Sequence, residues 1–267
     1  MIKNVLSIAG SDPSGGAGVQ ADLKTFSANG TYGMAVLTAL TAQNTQGVYG
    51  VELMPPAFVQ DQIATVLADV RVDAVKIGMI ATAEIATAVA EALIDFGDVP
   101  IVLDPVMVAK GGAPLLSEDA MKALRDRLVP LATLVTPNLP EAARLLGATE
   151  AITRQDMAEQ ARKLMTLGPK AALVKGGHLV TPDSPDVLSV DDALFWFEED
   201  RTATKNTHGT GCTLSSAVAA HLAQGKTVQD AVACAKRFVT GAIRTSDALT
   251  VGQGHGPVHH FHALWTV

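Results

Sequence analysis

Cysteine is scarce in this sequence. The two present, Cys212 and Cys234, lie far apart and form no CxxC pair. This argues against both a disulfide framework and a cysteine zinc site. Aromatic residues make up only 4%, too few for the stacking platforms that hold single-stranded nucleic acid. Basic residues are outnumbered, 20 Lys and Arg against 27 Asp and Glu, for a net charge of −7. The basic footprint of a nucleic-acid-binding surface is missing, so no such partner is expected. No apolar run reaches the roughly 18 residues that a membrane span needs. No signal peptide is legible either. The expectation is a soluble cytoplasmic protein with no membrane partner. No tandem repeat or low-complexity linker divides the chain, so one domain over 1–267 is expected.

Apolar residues are plentiful at 48% of 267, enough for a large core. Short apolar runs recur at 5–9, 35–40, 72–77, 101–103, 133–135 and 171–174. Helix-length amphipathic segments lie between several of them, at 57–68, 83–96, 118–128 and 155–167. This alternation predicts βαβ units and a mostly parallel sheet covered on both faces. Ser117 and Thr153 are placed to start helices, each with acidic residues just after. Phe195, Trp196 and Phe197 read as an antiparallel strand near the sheet edge, and 227–242 as a last long helix.

Polar and glycine residues follow the strand-like runs repeatedly. They are Gly10 to Asp12 after the first, Thr41 to Asn44 after the second, then Gly78-Met79, Asp104-Pro105, Asn138 and Gly176-Gly177. Ligands of open parallel sheets bind at the carboxyl ends of strands, so these segments describe one site assembled from many loops.

The densest segment is Asn206-Thr207-His208-Gly209-Thr210-Gly211-Cys212-Thr213, which runs into a small-residue helix. Free N–H groups at a helix start make an anion site. Cys212 falls in the first turn, where the helix dipole lowers a thiol pKa. Gly16-Ala17-Gly18-Val19-Gln20-Ala21 matches the dinucleotide fingerprint G-x-G-x-x-A. The strand before it ends too early and the second strand carries no ribose-binding acid, which disfavours a Rossmann oxidoreductase. Gly225-Lys226-Thr227 lacks the glycine that a P-loop needs at 220.

Asn138 and Glu141 are three apart around Pro140. They could ligate hydrated magnesium, but spacing alone favours a helix capping box. Lys175, before two glycines, is a phosphate clamp or a snorkelling lysine. Asp104 is a turn former or a charge near a metal. Asp22 points into the site or is a solvated first-turn acid. His255, His259, His260 and His262 read as surface or packing histidines, and Cys234 as a small core residue.

Taken together and in this order, these blocks resemble the hydroxymethylpyrimidine/phosphomethylpyrimidine kinases of the ribokinase-like family, nearly end to end. The resemblance implies a three-layer α/β/α fold with a small β flap, whose geometry is left open by 181–201. It implies ATP- and magnesium-dependent phosphorylation of 4-amino-5-hydroxymethyl-2-methylpyrimidine, first to the monophosphate and then to the diphosphate. Gly209 and Gly211 would form the anion hole. Cys212 stands where the wider family has an aspartate base. Gln43 and Asp22 would contact the pyrimidine, with Gly10, Met79 and Val106 as pocket wall. Asn138, Glu141, Lys175, Thr207 and Thr210 would hold ATP and its phosphates, and Asp104 and Glu141 the magnesium. A homodimer is implied as well. A kinase that also takes pyridoxal or pyridoxine, and a catalytically silent binding protein, remain open.

Overall fold

Valine- and isoleucine-rich runs form the strands of the computed structural model, which describes residues 1–107 and 116–265. The chain begins β1 (Asn4–Ala9), α1 (Gly18–Ala28), β2 (Tyr32–Leu37), β3 (Ala39–Asn44) and β4 (Gly47–Leu53). It continues α2 (Pro56–Asp69), β5 (Ala74–Ile77), α3 (Ala83–Leu93), β6 (Ile101–Leu103) and α4 (Glu118–Ala123). Next come β7 (Leu134–Val135), α5 (Leu139–Leu146), α6 (Arg154–Met165) and β8 (Ala171–Lys175). The last elements are β9 (Asp186–Val190), β10 (Ala193–Phe197), α7 (Thr210–Ala223) and α8 (Val228–Arg244).

Eight strands form one sheet in the order β10-β9-β8-β7-β6-β5-β1-β2. Pairing is parallel from β2 through to β8 and antiparallel for β9 and β10. Successive strand residues point to opposite faces, so one strand feeds two cores. Val5, Ala74, Val102 and Leu134 pack under α7 and α8. Leu6, Val75, Leu103 and Val135 pack on the other side, with residues of α2 to α6. This is the expected three-layer α/β/α arrangement. The strand order turns around between β1 and β5, because β2 lies outside β1 and all later strands lie on the other side. Such a reversal opens a crevice at the carboxyl ends of the strands.

The apolar run expected as one strand at 35–40 is broken in two. Thr38 N–H donates to Ala9 O at 3.0 Å and its hydroxyl to Met79 O at 2.7 Å, which turns the chain out of the sheet. The antiparallel pair β3–β4 that follows is the small flap. It therefore lies at Ala39–Leu53 and not in 181–201, where the chain instead supplies β9 and the edge strand β10. The flap exposes Leu40, Tyr49, Val51 and Leu53, so its apolar pattern imitates a core strand. The helix starts are where capping chemistry places them. Ser117 accepts from Ala120 N–H, and Thr153 and Asp156 form a capping box. Among the described residues no helix is long and apolar enough to cross a membrane.

Candidate active site

Strand ends β1, β5, β6 and β8, the flap and the start of α7 enclose one cavity of about 870 Å³. Two glycine loops cross at its floor. Gly209 caps α7 at φ +79°, and a Cβ there would sit 1.7 Å from Gly16 O. Gly18, at φ +56°, would place a Cβ 2.3 Å from Gly10 O. Only glycine tolerates both the left-handed backbone and the contact. The helix dipole and the first N–H groups of α7 are thereby brought to the cavity.

Charged groups are arranged around this helix start. Lys175 Nζ donates to Asp104 Oδ1 at 2.9 Å, and Thr136 Oγ1 to the same oxygen at 3.3 Å. Ser215 Oγ approaches Asp104 Oδ2 at 3.4 Å. Burial opposes the charge on Asp104, but Lys175 and then Lys76 outweigh it and hold the carboxyl below the usual range. Burial likewise opposes the Lys175 ammonium, and Asp104 and Glu141 hold its pKa up. Burial pushes Glu141 up to about 7, with Lys175 pulling it down and Asp104 pushing it further up.

Asn138 and Glu141 do form a capping box. Asn138 Oδ1 accepts from Glu141 N–H at 2.9 Å, and Glu141 Oε2 accepts from Asn138 N–H at 2.8 Å. The local reading of the spacing is thus correct, and it does not remove the pair from the site, since both line the cavity. Lys175, Asp104, Thr207, Gly209, Thr210, Gly211 and Cys212 line it, and a Cβ on Gly211 would lie 3.4 Å from Lys175 Nζ and 3.6 Å from Asp104 Oδ2. Gly10, Gln43, Met79 and Val106 line it as well. So do Lys236, Val239, Thr240 and Ile243 of α8.

A family model for phosphomethylpyrimidine kinase matches residues 12–259. The chain belongs to the phosphomethylpyrimidine kinase family. This kinase is 54% identical over 262 residues to the hydroxymethylpyrimidine/phosphomethylpyrimidine kinase of Escherichia coli, covering 98% of each chain. It is 53% identical to the thiamine biosynthesis bifunctional protein ThiED of Geobacter sulfurreducens, over 97% of this chain and 52% of that one. Its fold is similar to that of the Staphylococcus aureus pyridoxal kinase solved with AMP-PCP and pyridoxal. That match has a TM-score of 0.90 at 35% identity, over 99% of this chain and 95% of that one.

Two expectations from the sequence do not hold in this kinase. Cys212 is not a thiol of lowered pKa. Burial pushes it up to about 11, and the pull of Lys76 and of a Gly18 N–H donating to its sulfur is too small to reverse that. The thiol packs at the cavity floor, where desolvation outweighs the dipole. Asp22 does not face the cavity. It is fully buried and accepts from Lys76 Nζ at 2.9 Å on both oxygens. Ser7 and Ser216 hydroxyls donate to it at 2.6 and 2.7 Å.

Sequence reasoning missed Asp12, His208 and Lys76, which also line the cavity. Asp12 Oδ2 lies 2.7 Å from His208 Nε2. Burial opposes the Asp12 charge, yet its hydrogen bonds with His208 and Ser14 carry the carboxyl down to about 2. A polar residue three positions after a strand end was the available signal for Asp12. His259 and His260 are buried packing residues, as expected, and the described residues hold no group of three or more potential metal ligands of the His, Cys, Asp or Glu type. Cys234 is half-buried, with Arg237 Nη2 at 3.3 Å from its sulfur.

Proposed function

We propose that this chain, acting as one domain, moves the γ-phosphoryl group of ATP onto 4-amino-5-hydroxymethyl-2-methylpyrimidine and then onto the resulting monophosphate. In the first step the hydroxymethyl oxygen attacks phosphorus, the bond to the β-phosphate bridging oxygen breaks, and ADP leaves. The hydroxyl proton is released. In the second step a phosphate oxygen of the monophosphate attacks a second ATP, and no hydroxyl proton has to leave.

One observation carries the reading: Lys175 Nζ stands beside the glycine-rich start of α7, 3.4 Å from where a Cβ on Gly211 would lie, and both line the same cavity. Phosphoryl transfer needs positioning and charge neutralisation more than covalent chemistry. Lys175 and the N–H groups of residues 209–212 supply both. The Gln43 carboxamide suits the polar edge of an aminopyrimidine, with Gly10, Met79 and Val106 as apolar wall. Val239 and Ile243, which also line the cavity, offer an apolar surface to a purine.

Asp104 and Glu141 are the oxygen donors for magnesium. Both are buried at the cavity, and the upward push of Asp104 on the Glu141 carboxyl would be relieved by a divalent cation. Two carboxylates with waters and substrate phosphates match how this ion is usually held. When bound, it neutralises charge developing on the transferred phosphoryl group. The exposed flap residues Leu40, Tyr49, Val51 and Leu53 support a homodimer, and the need for ATP supports a cytoplasmic setting.

The likeness to a pyridoxal kinase keeps a second substrate class in view. ADP release measured with the pyrimidine, its monophosphate, pyridoxal and pyridoxine tests the reading. Turnover with the first two in preference to the last two is the expected result. Binding of ATP and pyrimidine without ADP release would overturn it.

A further inference from the structure

We propose that residues 252–258 form a strap between the tip of the flap and the glycine loop before α7, and that Gly254 and Thr45 thereby position Gln43 at the substrate. This rests on the reading of Gln43 as the pyrimidine-recognising side chain.

The base of the flap is tied to the loop after β1. Ser11 N–H donates to Ala39 O at 2.9 Å, and Thr41 Oγ1 donates to Ser11 O at 2.9 Å. Beyond that point β3 and β4 pair only with each other, and Leu40, Tyr49 and Val51 are exposed. A two-stranded ribbon of this kind holds its place poorly without an anchor. Gln43 sits at a register shift in the ribbon, two residues before Thr45 in the turn.

The contacts of the Gln43 carboxamide itself are long. Its Nε2 lies 3.4 Å from His208 Nε2, and its Oε1 3.4 Å from Thr41 Oγ1. The hydrogens of both partners are already given elsewhere, to Asp12 Oδ2 at 2.7 Å and to Ser11 O at 2.9 Å. Where Gln43 stands is therefore set by the backbone that carries it.

The strap anchors that backbone. His255 N–H donates to Thr45 O at 2.9 Å, and Gly254 N–H to Thr45 Oγ1 at 3.2 Å. Just beyond, His208 N–H donates to Gly256 O at 3.0 Å, and Pro257 bridges to His208 in parallel register. The flap tip and the glycine loop are thus joined through five residues, 254–258. The crossing is tight. A Cβ on Gly254 would lie 2.0 Å from Thr45 O, the atom that accepts from His255. Gly254 has no positive φ, so alanine there costs the contact and not backbone strain. The opposing atom is backbone and cannot rotate away as a side chain does. The Thr45 side chain lies against Gly252, where a Cβ would come within 2.1 Å of its Oγ1.

The test measures KM for the pyrimidine and for ATP, each with the other saturating, in the full-length protein below the melting temperature of each variant. Gly254→Ala should raise the pyrimidine KM about tenfold and leave the ATP KM within about twofold, because displacing a positioning group by about 1 Å is costly. Thr45→Ala, which removes the acceptor of the Gly254 N–H, should raise the pyrimidine KM about fivefold. Gln43→Leu should raise it as well. Adding Gly254→Ala to Gln43→Leu should then change it by less than about twofold more, since both act on one contact. An unchanged pyrimidine KM in Gln43→Leu removes the reading of Gln43 and the inference with it. A raised KM in Gln43→Leu, with Gly254→Ala and Thr45→Ala both within about twofold of the unmodified protein, overturns the inference alone. So does a full multiplicative effect in the double variant, or an equal rise in the ATP KM. If Gly254→Ala does not fold, the Thr45→Ala result decides by the same limits, alone and combined with Gln43→Leu.

Discussion

Lys76 Nζ lies 2.9 Å from both oxygens of Asp22, and neither side chain reaches solvent. The pair ties β5 to α1 at the cavity floor, and the hydroxyls of Ser7 and Ser216 bring in β1 and α7. Burial opposes the Lys76 charge, and Asp22 more than compensates, raising its pKa.

Asp22→Asn should therefore act on stability and not on recognition. It leaves a buried ammonium without a full counter-charge, at a cost of about 3–5 kcal/mol. Chemical denaturation should show this loss, with little change in the pyrimidine KM of the folded fraction. Normal stability with a raised pyrimidine KM would return Asp22 to the substrate side.

Lys175→Met should slow both phosphorylation steps by about 10²- to 10³-fold, the range seen for loss of one charge-stabilising donor. Asp104 then loses its partner at 2.9 Å. The melting temperature should fall as well. Single-turnover rates for each step, taken below the melting point, separate the two effects. Rates near those of the unmodified protein would place Lys175 outside the phosphate path.

Cys212→Ala should slow the first step more than the second. Only the first has a hydroxyl proton to remove, and general-base help is worth about 10²- to 10⁴-fold, less for a loose transition state. Because burial pushes the thiol up to about 11, little thiolate exists at neutral pH. The first-step rate of the unmodified kinase should therefore rise with pH toward that value, and the variant should lose the rise. Equal losses in both steps would assign Cys212 to loop geometry.

His260 should make the fold acid-sensitive. Burial, then the nearby Lys24 charge, lowers its pKa from 6.5 to about 3. The unfolded chain then binds the proton more readily, so stability is complete above 6.5 and declines as pH falls toward 3. At pH 5 the difference is on the order of 2 kcal/mol. His260→Asn keeps a partner for Thr213 Oγ1, now 3.1 Å from His260 Nε2. It should flatten the decline between pH 7 and 5 in urea unfolding. An identical decline in both proteins would assign the acid sensitivity elsewhere.

Much of the fold was legible because apolar spacing differs between strands and helices. The parallel core strands, the capped starts at Ser117 and Thr153 and the edge strand at Phe195 follow from local pattern. The flap did not follow. Its alternating apolar residues are exposed, and alternation reports a two-faced strand without saying what covers either face. The site was legible where glycine and polar residues end strands, as at Gly10, Asp104, Lys175 and Gly209. It was not legible at His208, whose meaning depends on Asp12 at a separation of 196 residues.

The sequence by itself determined the layered architecture, the carboxyl-end position of the polar loops and a glycine loop at the start of α7. These depend on backbone periodicity and on the turn chemistry of short segments, both of which are local. Tertiary structure alone decided that Asp22 is a buried counter-charge, that the Cys212 thiol is raised and not lowered, and what stands on either side of Gln43. Lys76 reaches Asp22 across 54 residues, and Ser216 reaches it across 194. Desolvation belongs to the volume that packing encloses, and hydrogen-bond partners belong to whichever strands the topology brings side by side. Neither quantity is carried by any short stretch of the chain.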